Sequence, residues 1–235
     1  MKINHTTVRS PRIHQPLTLA ICADFHNGDT NRVLSACQGA DGILIVGDLV
    51  DRHDRHGNGY DNAVDFLRRA PDVAPTFYAI GNHDRLLPLR EEYWPHVEQS
   101  RVTVLDDRYI PFGGIVLGGL SSHREGPETS WLPEMAAQPG FKLLMCHHPE
   151  YFANTALKQD IDLTVSGHAH GGQVRIPLLV NGLCAPNQGW FPKYAGGRYD
   201  VDGTVMLVSR GLSNQAQMGV PRVFNRPEWL IVELK

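Results

Sequence analysis

Eight short apolar runs recur along the chain, at residues 17–23, 42–46, 76–80, 115–120, 141–146, 161–165, 205–208 and 229–232. Each closes in a polar loop, most of which contain glycine. Runs of this length, rich in Ile, Val and Leu, predict strands buried on both faces. Between the early runs the pattern changes period. Residues 31–38 and 62–69 carry helical spacing, and the second places Ala63, Phe66 and Leu67 on one stripe. Pro149 is set to open a further helix at its first position, running through residues 151–158.

Strands alternating with helices predict a layered α/β fold with helices outside the sheets. The strand–Gly-Gly–strand feature at 110–120 and the helix-poor C-terminal part predict some antiparallel pairing as well. No internal repeat and no low-complexity segment is visible, and 235 residues suit a single domain over 1–235. Residues 182–202, rich in Gly, Pro and aromatics, read as a long excursion of the functional kind.

Composition changes this picture in two places. A net charge of −3 provides no broad basic surface, so a stable nucleic-acid partner is not expected, although metals bound at one point would escape that count. The cysteines Cys22, Cys37, Cys146 and Cys184 form no CxxC pair. Cys22 and Cys146 fall inside apolar runs and read as buried free thiols, which fits a reducing compartment. The first residues hold no apolar stretch long enough for a signal peptide or a transmembrane segment, so a cytoplasmic protein is expected.

The chemistry lies in where metal-capable residues fall. His26, His83, His147, His168 and His170 all follow directly on predicted strands, joined there by Asp24, Asp48 and Asn82. In an α/β sheet, ligands bind outside the carboxyl ends of the strands. Each block has a plain structural reading on its own. A-D-F-H at 23–26 could be a polar turn, and Asp48 in V-G-D-L-V-D at 46–51 a helix cap, with Asp51 a structural hydrogen-bond acceptor. I-G-N-H-D at 80–84 is unusual after a buried strand. In C-H-H-P at 146–149 either His147 or His148 could be the ligand. In S-G-H-A-H-G-G at 166–172, imidazoles two apart in an extended loop can reach two neighbouring ions. As a set the blocks make chemical sense, because a carboxylate such as Asp48 can bridge divalent ions roughly 3.5–4 Å apart. His, Asp and Asn donors without Cys suit Mn, Fe or Zn.

D-x-H, G-D-x-x-D, G-N-H-D, a His after a strand and G-H-x-H, in that order, resemble the calcineurin-like metallophosphoesterases. The tail, with G-H-A-H-G-G-Q at 167–173, V-S-R-G-L at 208–212 and P-R-V-F-N-R-P-E at 221–228, is similar to a bacterial branch of soluble or membrane-peripheral phosphoesterases, some linked to phospholipid or lipid-sugar pyrophosphate substrates. The resemblance implies two mixed β-sheets packed as a sandwich flanked by helices, in four layers. It implies two divalent ions, the first held by Asp24, His26 and His170, the second by Asn82, His147 and His168, with Asp48 bridging. His147 is preferred to His148 because the family pattern is apolar run, His, any residue, Pro. His83 would stand off the metals near the scissile phosphate, with Asp84 orienting its ring.

The implied reaction is attack of a metal-bridging hydroxide on a phosphodiester or pyrophosphate bond. Phosphomonoesterase or protein phosphatase action is the alternative. A nuclease is less expected, since it would show a basic track and a capping domain. The substrate would be small and phosphorylated, such as a nucleotide or a lipid-linked phosphoester. Arg52 and His53, with Arg55 and His56 in the same loop, are candidates to grip it, as are Lys193 and Arg198. Trp190, Phe191 and Tyr194 either line a base or lipid pocket or fold their loop onto the sheet.

Overall fold

A computed structural model describes residues 2–54, 57–87, 90–176 and 178–235. In chain order it begins with β1 (Lys2–Val8), β2 (Leu17–Cys22), α1 (Thr30–Ala36), β3 (Gly42–Val46), α2 (Asp61–Val73) and β4 (Thr76–Ala79). Next come α3 (Asn82–Arg85), α4 (Arg90–Gln99), β5 (Thr103–Val104), β6 (Arg108–Phe112), β7 (Ile115–Leu120) and α5 (Leu132–Ala136). The chain continues through β8 (Phe141–Cys146), β9 (Leu163–Ser166), β10 (Cys184–Ala185) and β11 (Gly189–Trp190). It closes with β12 (Gly197–Val201), β13 (Thr204–Val208) and β14 (Glu228–Leu234).

Two six-stranded mixed sheets result, in the orders β1-β14-β2-β3-β4-β5 and β12-β13-β9-β8-β7-β6. Antiparallel pairing enters at β14–β2, β12–β13 and β6–β7; the other neighbours within the two sheets are parallel. The apolar runs are double-faced because each sheet has a covering layer on both sides. In β3, Leu44 and Val46 face the second sheet while Ile43 and Ile45 face α1 and α2. In β8, Leu143 and Met145 face the first sheet while Leu144 and Cys146 meet Leu132, Met135 and Phe152. The order is therefore helices, sheet, sheet, helices, as expected. The four cysteines are free and buried.

One local expectation gives way, and two segments hold more regular structure than the sequence pattern announced. The segment after Pro149 is two 3₁₀ turns, Pro149–Asn154 and Ala156–Lys158, rather than one α-helix. The Thr155 hydroxyl donates to the Tyr151 carbonyl at 2.8 Å, taking the acceptor that a continuing helix would use. The excursion at 182–202 is partly ordered as the β10–β11 hairpin and the edge strand β12. β1 gave no apolar signal, because its residues alternate polar and half-buried at the sheet's rim.

The architecture gathers the strand ends. β2, β3 and β4 of one sheet and β8 and β9 of the other run parallel within their sheets. The loops that follow them meet at one rim of the sandwich, where the inter-sheet core ends.

Candidate metal centre

The loop after β2 is laced onto the loop after β3, continuing the strand pairing past its regular end. Asp24 N–H donates to the Gly47 carbonyl at 3.2 Å, His26 to Asp48 at 3.0 Å and Asn27 to Leu49 at 2.9 Å. Asp24, His26, Asp48, His168 and His170 all take left-handed backbone conformations, with φ between 46° and 64°. Each costs a non-glycine residue about 1–3 kcal/mol, and such outliers cluster where side chains must be aimed for function. Glycine lets the loops close on one another, between the two sheets at Gly47 and within the first sheet at Gly81. A Cβ on Gly47 would lie 2.4 Å from His147 Nδ1, and one on Gly81 would lie 2.3 Å from Asp48 Oδ1.

Among the described residues two clusters of potential ligand atoms carry the expected ligands, and a third, His26 with Asp51 and His83, adjoins the first. Asp24, His26 and His170 form the first, with His170 Nε2 3.5 Å from Asp24 Oδ1 and 3.4 Å from His26 Nε2. Asp48, His147 and His168 form the second. Asp48 Oδ2 stands between them, 3.1 Å from His147 Nε2 and 3.9 Å from His26 Nε2. Asn82 lies at the start of α3 and lines the same cleft. All of these histidines and both aspartates are buried.

The donor atoms fit divalent cations. Asn82 Oδ1 and His168 Nε2 are buried and make no hydrogen bond, an arrangement that is costly unless a cation satisfies it. His147 Nδ1 lies 2.8 Å from the Val46 carbonyl, which takes its proton and leaves Nε2, 3.1 Å from Asp48 Oδ2, as the nitrogen that would face an ion. The mixture of imidazole, carboxylate and amide, with no thiolate, matches borderline transition ions.

The electrostatics agree. Burial, reinforced by neighbouring imidazoles, holds His168 and His170 well below the usual imidazole range, and burial drives His26 down to about 3. These rings are neutral at neutral pH, the form that ligates metal. His147 is the exception: burial lowers it, yet the Asp48 and Asp24 carboxylates outweigh that and raise it to about 10. Asp24 is pushed up to about 6, first by burial and then by Asp48. Asp48 goes the other way; burial opposes its charge, but His147, His83 and His26 hold it well below the carboxylate range.

His83 and Asp84 differ from expectation in one respect. Asp84 does not orient the His83 ring. Its carboxylate accepts the backbone N–H groups of Asp48 at 2.8 Å, Leu49 at 2.9 Å, Val50 at 3.1 Å and Gly81 at 2.8 Å. It is the third residue of α3 and folds back to cap that turn, so it cannot also reach the ring beside it. The carboxylate at the ring is Asp51, whose Oδ1 lies 3.3 Å from His83 Nδ1. Asp51 also accepts from the His53 backbone at 3.1 Å and from Gln215 Nε2 at 2.9 Å. Burial raises Asp51, but these partners, His83 foremost, hold it well below the carboxylate range.

The centre opens into a cleft of about 470 Å³. His83, Arg52 and His53 line it, and so do His123 and Arg124, which the sequence pattern did not single out. Their signal was present, since both follow the apolar run of β7 as the metal-capable residues follow theirs. His147 points at Asp48, whereas His148 lies in the cleft wall, 3.1 Å from Glu150 with its ring 4.2 Å from that of His168. Lys193 and Arg198 are not among the lining residues: Lys193 sits over the Tyr194 ring and Arg198 pairs with Asp200. Tyr194 folds inward against the second sheet's outer layer, while Trp190 and Phe191 are exposed. Arg55 and His56 lie outside the described residues.

Comparison with known proteins places this geometry in context. The sequence model of the calcineurin-like phosphoesterases matches residues 17–172, from β2 through the second histidine of the G-H-x-H block. An uncharacterized metallophosphoesterase of Campylobacter jejuni is 26% identical over 254 residues, covering 100% of this chain and 63% of the relative. The phosphodiesterase YaeI of Escherichia coli is 28% identical over 149 residues, covering 60% of this chain and 53% of that protein. The chain spans about three fifths of the length of the first curated relatives it matches. Among solved structures, a 5'-nucleotidase precursor from Thermus thermophilus superposes with a TM-score of 0.51 at 14% identity, over 94% of this chain and 54% of the other, a likeness of fold.

Proposed function

The chain belongs to the calcineurin-like phosphoesterase family, and from that premise we propose that it hydrolyses small phosphoesters with two divalent metal ions. Asp24, His26 and His170 would hold one ion, and Asn82, His147 and His168 the other, with Asp48 shared. The observation that carries this reading is the place of Asp48 between His147 and His26, beside orphaned donor atoms. Bound there, Mn, Fe or Zn ions supply Lewis-acid polarisation of the phosphoryl group and activate water at neutral pH.

The chain's own residues do the rest. Asp51 Oδ1 and the Arg52 backbone N–H, which donates to His83 Nδ1 at 3.3 Å, both occupy that nitrogen, so Nε2 would serve the substrate, donating a proton to the leaving oxygen. Asp84 acts at one remove, holding the Asp48 backbone, and with it the shared ligand, on its four accepted N–H bonds. Arg52 and His53 meet the remainder of the substrate from the cleft wall.

A phosphodiester or pyrophosphate bond, in a nucleotide or a lipid-linked molecule, is the proposed target. The Escherichia coli relative's name supports the diester. Free, buried cysteines support action in a reducing compartment such as the cytoplasm, and a net charge of −3 argues against a stable nucleic-acid partner. Among the described residues no helix is long and apolar enough to cross a membrane.

The test is reconstitution with Mn, Fe or Zn and a substrate panel of nitrophenyl phosphate, bis-nitrophenyl phosphate and nucleotide pyrophosphates. Turnover of the diester or pyrophosphates above the monoester is expected. Turnover of the monoester alone would overturn the bond assignment, and absence of bound metal under every loading would overturn the centre itself.

A further inference from the structure

The large hydrophobic side chains exposed among the described residues are not scattered. All but Ile3 fall between positions 176 and 224: Ile176, Leu178, Leu179, Trp190, Phe191, Met218, Val223 and Phe224. Leu178 is fully exposed, Leu179 is 82% exposed and Phe224 79%. Burying such side chains is what folding ordinarily accomplishes, and a contiguous exposed set marks an interaction surface.

Main-chain bonds make the set contiguous. Arg175 N–H donates to the Val223 carbonyl at 3.0 Å, Leu183 to Val174 at 2.9 Å and Phe191 to Leu183 at 2.7 Å. The loops bearing Phe224, Leu178–Leu179 and Trp190–Phe191 are thus stitched side by side. Leu178, Leu179 and Phe224 share a depression of about 480 Å³ with Arg175 and Arg210.

Charge follows the same segments. Positions 163–199 and 203–227 contain no Asp or Glu, yet they carry Arg175, Lys193, Arg198, Arg210, Arg222 and Arg226. The chain as a whole carries −3, so these segments hold a local net charge of +6 against −9 for the remainder, an excess that comes from the lack of acidic residues among those that expose the apolar side chains. Arg198 and Arg210 have carboxylate partners in Asp200 and Glu228, which lie just outside these segments.

We propose that this face docks on a bilayer surface containing anionic phospholipid, with Leu178, Leu179 and Phe224 entering the interfacial region and the surrounding Arg and Lys meeting lipid phosphates. Apolar tips combined with basic residues are the two signals that stable peripheral binding requires. Self-association fits less well, because a twofold contact would set patch against patch and oppose like charges. The surface also adjoins the cleft. The segment 217–224 lends Met218 to the cleft wall and Phe224 to the patch. Docking therefore brings the mouth of the metal centre towards lipid headgroups. The inference concerns binding and stands whether or not the proposed hydrolysis is correct.

Vesicle flotation of the full chain tests it without any turnover. Binding to phosphatidylcholine vesicles containing phosphatidylglycerol is expected, with little binding to phosphatidylcholine alone and weakening as salt rises. The combined change Leu178→Ser, Leu179→Ser and Phe224→Ser should lower the bound fraction about 10-fold with thermal unfolding unaltered. Lys193→Glu with Arg226→Glu should remove the preference for the anionic vesicles. Brominated lipid should quench Trp190 emission, identified by its loss in Trp190→Phe, a readout that leaves the aliphatic tips intact. No flotation with either vesicle overturns the proposal, as does unchanged flotation of the triple variant. A dimer that the triple variant dissociates, with no vesicle binding, would assign the face to self-association instead.

Discussion

Asp51 Oδ1 lies 3.3 Å from His83 Nδ1, with both side chains buried and the imidazole lining the cleft. The two residues come from loops after different strands, β3 and β4. In the proposed mechanism this pairing sets the orientation of the proton donor through a carboxylate that belongs to neither ligand set holding Asp24 or Asp48, although with His26 the pair forms a third cluster of potential ligand atoms.

His83→Asn is therefore expected to cut kcat by about 10²–10⁴-fold with metal content unchanged. Asp51→Asn should reduce kcat by a smaller factor and leave KM near its original value, since it acts through His83. Steady-state kinetics beside elemental analysis checks both. Near-native turnover by His83→Asn would remove it from the mechanism.

Asp48→Asn should behave differently, because the shared ligand is lost. Metal affinity is expected to fall about 100-fold or more, by comparison with the 10–100-fold typical for outer-shell partners alone, read as metal retained after dialysis against a series of free metal concentrations. Chelation of the unaltered protein should lower its melting temperature, since ligands that bind only the folded state stabilise it. An unchanged melting temperature on metal removal would count against the cage.

Gly47→Ala tests how closely the two sheets' loops must approach. The new Cβ would meet His147 Nδ1 at 2.4 Å, at a φ of +80° that disfavours any side chain. A loss of about 1–3 kcal/mol in chemical denaturation is expected, together with weakened metal retention. Full stability and full metal content would show that the loops can relax apart.

Asp160 offers a pH-dependent prediction remote from the cleft. Its carboxylate accepts from Arg12 at 2.8 Å and from the buried Lys142 at 2.8 Å, and these bonds hold it below the usual carboxylate range. A carboxylate depressed on folding contributes stability above its unfolded value of about 3.9 and loses it as pH falls through the folded value. Asp160→Asn should cost about 0.5–1 kcal/mol at neutral pH, a modest amount because the group is largely exposed and screened. Denaturation at a series of pH values should show this difference shrinking on acidification; a difference independent of pH would refute the assignment.

Most of the fold was legible along the chain. The runs at 42–46, 115–120 and 141–146 are strands with those same bounds, because burial on both faces leaves an unbroken apolar signature. β1 and β12 escaped notice for the converse reason: each lies at a sheet edge, where half-polar residues suffice and pairing is decided by the neighbouring strand.

The metal-capable residues were legible too, since their types and their positions after buried strands are properties of the sequence by itself. Three matters belonged to the tertiary structure. It brought the ends of two sheets together, so that Asp48 from one stands 3.1 Å from His147 of the other. It separated His147, aimed at Asp48, from His148, turned to Glu150. It exchanged Asp84 for Asp51 at the His83 ring. Apolar periodicity records which positions are buried. The direction of a side chain in a turn depends instead on the sign of its φ and on partners distant in sequence, and neither is written in any local window.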